Sequence, residues 1–188
     1  ALLAKYHSSE WIQERLYATE IRNLRYYGYG IKSFTLSMIE TAIQVTDSKI
    51  DGRDIRRIID LTKGMLEAPV QLLDHVAEVI PVLSESYPLM VITKVDLFHQ
   101  EAKVARCGLA SHFGAVEVVS DKTPDVYRAV LAKHKLEPRR FLMVGNSLRS
   151  DILPVVSLGA QAVHIPYHIT WEHENVPVEG GEAAEYLE

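Results

Sequence analysis

The chain has one cysteine, Cys107, in 188 residues. That excludes an internal disulfide framework and any zinc cluster built on several thiolates. It fits a reducing, cytoplasmic compartment. Long hydrophobic runs are also lacking: none approaches the roughly 20 residues a membrane-spanning helix needs, so no membrane partner is expected. Positive charge is in deficit, with 20 Lys and Arg against 25 Asp and Glu for a net charge of −5, and nucleic acid is not an expected partner either. No signal-peptide pattern, internal repeat or low-complexity tract is read in these residues, and none is expected. What is present is an ordinary globular balance, 47% hydrophobic and 24% charged, in a length that holds one domain or a domain with an appendage.

The first third has helical periodicity. "SSEWIQERLYATEIRNLRYYG" opens on Ser8 and Ser9, both suited to N-cap a helix, and ends on Gly28, a natural residue just past a helix end. Ile12, Leu16 and Leu24 recur at helical spacing in it. Ile31, Phe34, Met38, Ile39, Ala42 and Ile43 form a second stripe, and Ile55, Ile58, Ile59, Met65 and Leu66 a third. No strand-like alternation occurs before residue 68. Residues 1–68 are therefore expected to form a helical unit.

Residues 69–188 alternate between two periods. A helix is expected over about Val70 to Ser84, disturbed at Pro81. Four short apolar runs follow: "PLMVIT", "AVEVVS", "FLMVG" and "QAVHIP". Helical patterns separate them, with Thr123 and Pro124 placed as N-cap and first helical residue, and Gly159 closing the last. Strands alternating with helices imply βαβ units, a parallel sheet and an α/β fold. In such sheets ligands bind outside the carboxyl ends of the strands.

Those ends carry polar groups of complementary kinds. The first run ends at Thr93 and Lys94, the second at Ser120, Asp121 and Lys122, and the third at Asn146, with Asp151 five positions on. A hydroxyl and an ammonium suit a phosphate oxygen, one donating a hydrogen bond and the other cancelling charge. A carboxylate and an amide oxygen suit a hard cation such as magnesium.

The ordered set resembles the haloacid dehalogenase-like superfamily of hydrolases. "LMVIT" with Thr93 is similar to the family's second motif, Lys122 in "SDKTPDVY" to its third, and "FLMVGNSLRSD" to its fourth, with Asn146 where the family has its first Asp and Asp151 as the second. The resemblance spans about residues 70–167. It implies a Rossmann-like three-layer αβα core over 69–188, with 1–68 as a helical cap. It also implies a magnesium-dependent phosphatase of a small phosphorylated metabolite, working through an aspartyl-phosphate. Thr93 and Lys122 would then be catalytic, with Lys94 joining them on the phosphate and Asp151 and Asn146 on Mg2+.

The family's first motif, Asp-x-Asp on the first core strand, supplies its nucleophile. No two aspartates here have that spacing, and no apolar strand precedes the helical unit. The first core strand is thus expected to be absent, the nucleophile is unassigned, and a chain starting at Ala1 is expected to begin after that motif and to be inactive alone. Two alternatives stand beside the phosphatase. One is a 2-haloacid dehalogenase, since the family's dehalogenases also carry an Asn in the fourth motif, though with a shorter spacing to the next Asp. The other is a non-catalytic binding protein on the same fold. Neither substrate identity nor oligomeric state follows from the sequence.

Two further segments stand out. His164, His168 and His173 cluster in "VHIPYHITWEHE" and are expected in a loop after the last strand. "LRYYGYG", Leu24 to Gly30, either lines the cap's face over the site or packs as an ordinary helix turn.

Overall fold

The computed structural model describes residues 2–94 and 104–167. Helix α1 runs Ser9–Tyr27, α2 Ile31–Val45 and α3 Gly52–Glu67. Ser8 caps α1, its hydroxyl accepting a hydrogen bond from Trp11 N at 3.3 Å. Gly28 ends the helix at φ 65°, a conformation a side chain would disfavour. Asp51 caps α3 by accepting from Arg53 N at 2.8 Å, and Asp54 pairs with Arg57 at 3.0 Å. The acidic pair in "DGRD" thus serves a helix start, where carboxylates offset the exposed N–H groups.

The seam between these helices differs from the apolar stripe expected of them. Its buried residues are chiefly Thr19, Asn23, Ser33, Ser37, Thr41 and Thr62, joined by Ala42 and Ile58. Ile43 and Met65, members of the stripe, remain 37% and 40% exposed. Small polar side chains allow close helix approach and then bond across it. The Asn23 amide donates to Ser37 Oγ at 3.1 Å and to Glu40 Oε2 at 2.8 Å, tying α1 to α2 in antiparallel sense. Thr35 and Thr62 hydroxyls, 2.8 Å apart, tie α2 to α3. Such bonds satisfy groups whose burial would otherwise cost about 1–3 kcal/mol each.

Helix α4 spans Val76–Ser86 rather than starting near Val70. His75 adopts a left-handed conformation, φ 65°, at the position before it, which delays the helix start. Pro81 is accommodated inside α4, and the Ser84 hydroxyl donates to the Pro81 carbonyl at 2.7 Å. Strand β1, Leu89–Lys94, pairs in parallel with β2, Phe113–Val119, with Thr93 opposite Val118 and Lys94 opposite Val119. Cys107 lies in a turn and is half-buried. Its thiol donates to Val104 O at 3.0 Å and accepts from Leu109 N at 3.4 Å.

The later segment repeats the pattern. Thr123 caps α5, Pro124–Lys133, accepting from Val126 N, with Pro124 at the first helical turn as expected. Tyr127, Val130 and Leu131 bury one face of α5. Strand β3, Leu142–Gly145, leads through a π-helical turn, Leu148–Ile152, into the short α6, Leu153–Val156. Gly159, at φ 76°, releases the chain into β4, Gln161–His164, parallel to β3 with Gly145 opposite His164. The chain is thus mixed α/β with parallel strands. Among the described residues its ladders are two, β1–β2 and β3–β4. They fall in separate compact units, Ala1–Ser120 and Asp121–Glu188. No helix of the described residues is long and apolar enough to cross a membrane.

Candidate active site

The second unit gathers three of the expected site residues at the carboxyl end of β3. The strand ends at Gly145, and the chain then turns through Asn146 and Ser147. Ser147 Oγ accepts from Ser150 N at 3.0 Å, and Asp151 N donates back to Ser147 O at 2.8 Å. This tight turn folds Asp151 inward until it is 5% exposed. Its Oδ2 accepts from Ser147 N at 3.1 Å, and its Oδ1 accepts from Lys122 Nζ at 2.5 Å. The Lys122 and Asp151 side chains are 11% and 7% exposed. Charges so enclosed persist only when paired and hydrogen-bonded, as both are here.

Gly145 makes room for this carboxylate. A Cβ on Gly145 would stand 2.5 Å from Asp151 Cγ, well inside any tolerable contact, and the glycine's φ lies outside the left-handed region. The requirement is therefore space and not backbone freedom. The role was hidden in the sequence, where Gly145 reads as a strand end.

Two more residues complete the cluster and were not anticipated. Tyr127 is 1% exposed, and its hydroxyl donates to Ser150 O at 3.0 Å. Burial, and then the charge of Asp151, hold its phenol far above the ordinary range, so it stays a neutral donor. His164, expected in a loop, is the last residue of β4. Its Nε2 lies 3.0 Å from Asn146 O. A carbonyl only accepts, so Nε2 carries a proton there. With Ile165 N donating to Gly145 O at 2.9 Å, β4 fixes two successive carbonyls at the turn that delivers Asp151. His168 and His173 lie outside the described residues.

Asn146 is exposed, and its side chain is available at the mouth of this turn. A carboxylate offers about four lone-pair positions, so Asp151 retains acceptor capacity beyond Lys122 and Ser147. One carboxylate and one amide oxygen fit a magnesium ion that keeps most of its waters. Among the described residues no group of three or more His, Cys, Asp and Glu side chains is placed to hold a metal.

The first unit carries the other expected residues. Thr93, at the end of β1, donates its hydroxyl to Lys94 O at 3.0 Å. Lys94 Nζ sits 4.0 Å from the centroid of the Tyr29 ring. Its ammonium, expected on phosphate, is thus engaged by an aromatic face of the α1–α2 loop.

Parallel strands followed by helices, with a lysine–carboxylate pair at a strand's carboxyl end, place polar groups where sheets of this class bind ligands. A family described as haloacid dehalogenase-like hydrolase matches residues 27–165. The crystal structure of a haloacid dehalogenase-like family hydrolase from Xanthomonas campestris is 43% identical, with 90% of this chain and 71% of that one covered and a TM-score of 0.84. The chain belongs to the haloacid dehalogenase-like hydrolase family. A predicted phosphoglycolate phosphatase from Haemophilus somnus is 17% identical over 80% of this chain and 77% of that one, with a TM-score of 0.56. A 2-haloacid dehalogenase from Pseudomonas syringae is 20% identical over 87% and 74%, with a TM-score of 0.55. These last two share the fold. No curated protein matches the sequence.

Proposed function

We propose that the protein is a cytoplasmic phosphatase of small phosphorylated metabolites, with residues 1–68 as its helical cap and 69–188 as most of its α/β core. One observation carries this reading: Lys122 and Asp151 are nearly buried and 2.5 Å apart at the carboxyl end of a parallel strand, beside an exposed Asn146. A lysine so placed offsets charge on a phosphoryl oxygen. Thr93, which matches the family's second motif, would supply a hydroxyl donor to the phosphate. Asp151 and Asn146 would hold magnesium, which when bound supplies positive charge against the phosphoryl oxygens. An amide in place of a carboxylate leaves the site one negative charge poorer, so its magnesium affinity is expected to be weak. The aspartyl-phosphate route needs an Asp-x-Asp nucleophile, and none of the aspartates at 47, 51, 54, 60, 74, 96, 121, 125 and 151 has that spacing. That role is assigned to no residue here.

A second reading, a 2-haloacid dehalogenase, is favoured by Asn146 alone. Phosphorus NMR of inorganic phosphate, titrated with this chain with and without magnesium, separates the two. The phosphatase reading expects magnesium-enhanced binding that disappears in Lys122→Ala while the variant keeps its native circular dichroism. Phosphate binding indifferent to both would overturn it, and binding of 2-chloropropionate in the presence of a chelator, with none of phosphate, would favour the dehalogenase.

A further inference from the structure

The peptide group between Ser150 and Asp151 is held at both ends. Its N–H donates to Ser147 O at 2.8 Å, and its carbonyl accepts from the Tyr127 hydroxyl at 3.0 Å. A peptide group is planar, so these two bonds set the direction in which the Asp151 side chain leaves the backbone. The carboxylate then meets Lys122 Nζ at 2.5 Å and Ser147 N at 3.1 Å. Tyr127 lies on α5, 23 residues away in the chain, and its ring is fixed by close packing at 1% exposure.

Pro154 gives the reason that this carbonyl turns toward α5. In a regular α-helix Ser150 O would accept from the N–H of residue 154. Proline has no N–H, and its ring collides with the carbonyl four residues back. The turn widens instead, and its N–H groups reach back five residues: Ile152 N donates to Ser147 O at 3.2 Å, and Leu153 N to Leu148 O. The wider turn carries the Ser150 carbonyl outward, where the phenol supplies the donor that Pro154 lacks.

We infer that Tyr127 is a positioning residue: through the Ser150 carbonyl, which Pro154 turns toward it, its hydroxyl aims the Asp151 carboxylate at Lys122. The inference rests on the phosphate site proposed above and deepens it. Without the phenolic bond the Ser150–Asp151 peptide is free to rotate. Asp151 then swings away from Lys122, and the ammonium loses the anchor that holds it at the carboxyl end of β3.

The test uses the full chain and two variants. Tyr127→Phe keeps the ring and removes the donor, whereas Pro154→Ala gives residue 154 an N–H. Two quantities are read in each: the NMR shifts of the Lys122 ε-methylene, assigned with Lys122→Met, and the affinity for inorganic phosphate with magnesium. In Tyr127→Phe the Lys122 signals are expected to move toward those of a solvent-exposed lysine. Phosphate affinity should fall about fivefold, the equivalent of one hydrogen bond. Pro154→Ala lets Ser150 O bond within the helix, so it should show the same two changes while melting no lower than wild type. A tyrosine that only fills space would leave Lys122 undisturbed, and wild-type Lys122 signals in either variant overturn the inference. Lys122 signals that move while phosphate affinity holds would overturn the phosphate reading and leave the positioning role standing. If the wild-type chain binds no phosphate, that reading falls as well, and the Lys122 signals alone decide the role of Tyr127.

Discussion

Lys122 Nζ and Asp151 Oδ1 stand 2.5 Å apart although 29 residues separate them in the chain. Each is the other's partner in a nearly closed environment, so removing one leaves a buried charge uncompensated. Lys122→Met and Asp151→Leu are each expected to cost about 3 kcal/mol. The double variant is expected to cost clearly less than their sum, since neither charge is then left alone. Urea unfolding of the four proteins measures this. Additive losses would mean that the two side chains act independently.

Gly145→Ala places a methyl group 2.5 Å from Asp151 Cγ. Something must move, and in a packed site such overfilling costs about 1–3 kcal/mol. The expected result is a drop in stability of that order together with loss of phosphate binding. In an Asp151→Gly background, where the obstructing side chain is gone, Gly145→Ala should cost no further stability. If the single variant were as stable as wild type, the tight packing of glycine against carboxylate would be refuted.

His164 acts on the site through Asn146. A glutamine places its amide nitrogen about where the imidazole Nε2 lies, so His164→Gln should keep the bond to Asn146 O, whereas His164→Phe fills the space without a donor. Phosphate affinity is expected to survive in His164→Gln and to fall several-fold in His164→Phe, with similar thermal stability in both. Equal affinity in the two variants would show that the ring serves packing alone.

Glu40 connects the helical seam to pH. Its carboxyl is held below the ordinary value of 4.5, first by the hydrogen bond from Asn23 and then by Arg22, against the opposing effect of burial. A depressed folded-state pKa contributes stability that is complete above the unfolded value and is lost as pH falls through the folded one. Glu20 is shifted the other way by burial, so its contribution is present at low pH and lost as pH rises. Glu40→Gln is therefore expected to lower stability at pH 8, where that contribution is complete, to change little well below about pH 4.5, and so to flatten the acid limb. Denaturant midpoints across that range decide it, and an unaltered acid limb would exclude Glu40 as its source.

Much of this architecture could be read from local chemistry. Ser8, Gly28, Thr123, Pro124 and Gly159 act through their own backbone or the next turn, so residue type alone announces them. The four apolar runs became strands for the same reason. The sequence also placed Lys122, Asn146 and Asp151 at strand ends, and the structure joins Lys122 to Asp151. Contacts between segments distant in the chain left no such mark. Tyr29 meets Lys94 across 65 positions, and His164 reaches Asn146 only because β3 and β4 share a register. The polar seam was missed because helical periodicity weighs Ile and Leu above Ser and Thr, whereas close helix approach favours the smaller side chains.

That seam has a calorimetric consequence. Exposing apolar surface raises heat capacity and exposing polar surface lowers it. Helices α1–α3 meet largely through hydroxyl and amide groups, with Ile43, Leu61 and Met65 already well exposed to water. Separating them should therefore absorb heat with little change in heat capacity, and their contribution to the stability curve should be flat, holding on cooling where a hydrophobic interface would weaken.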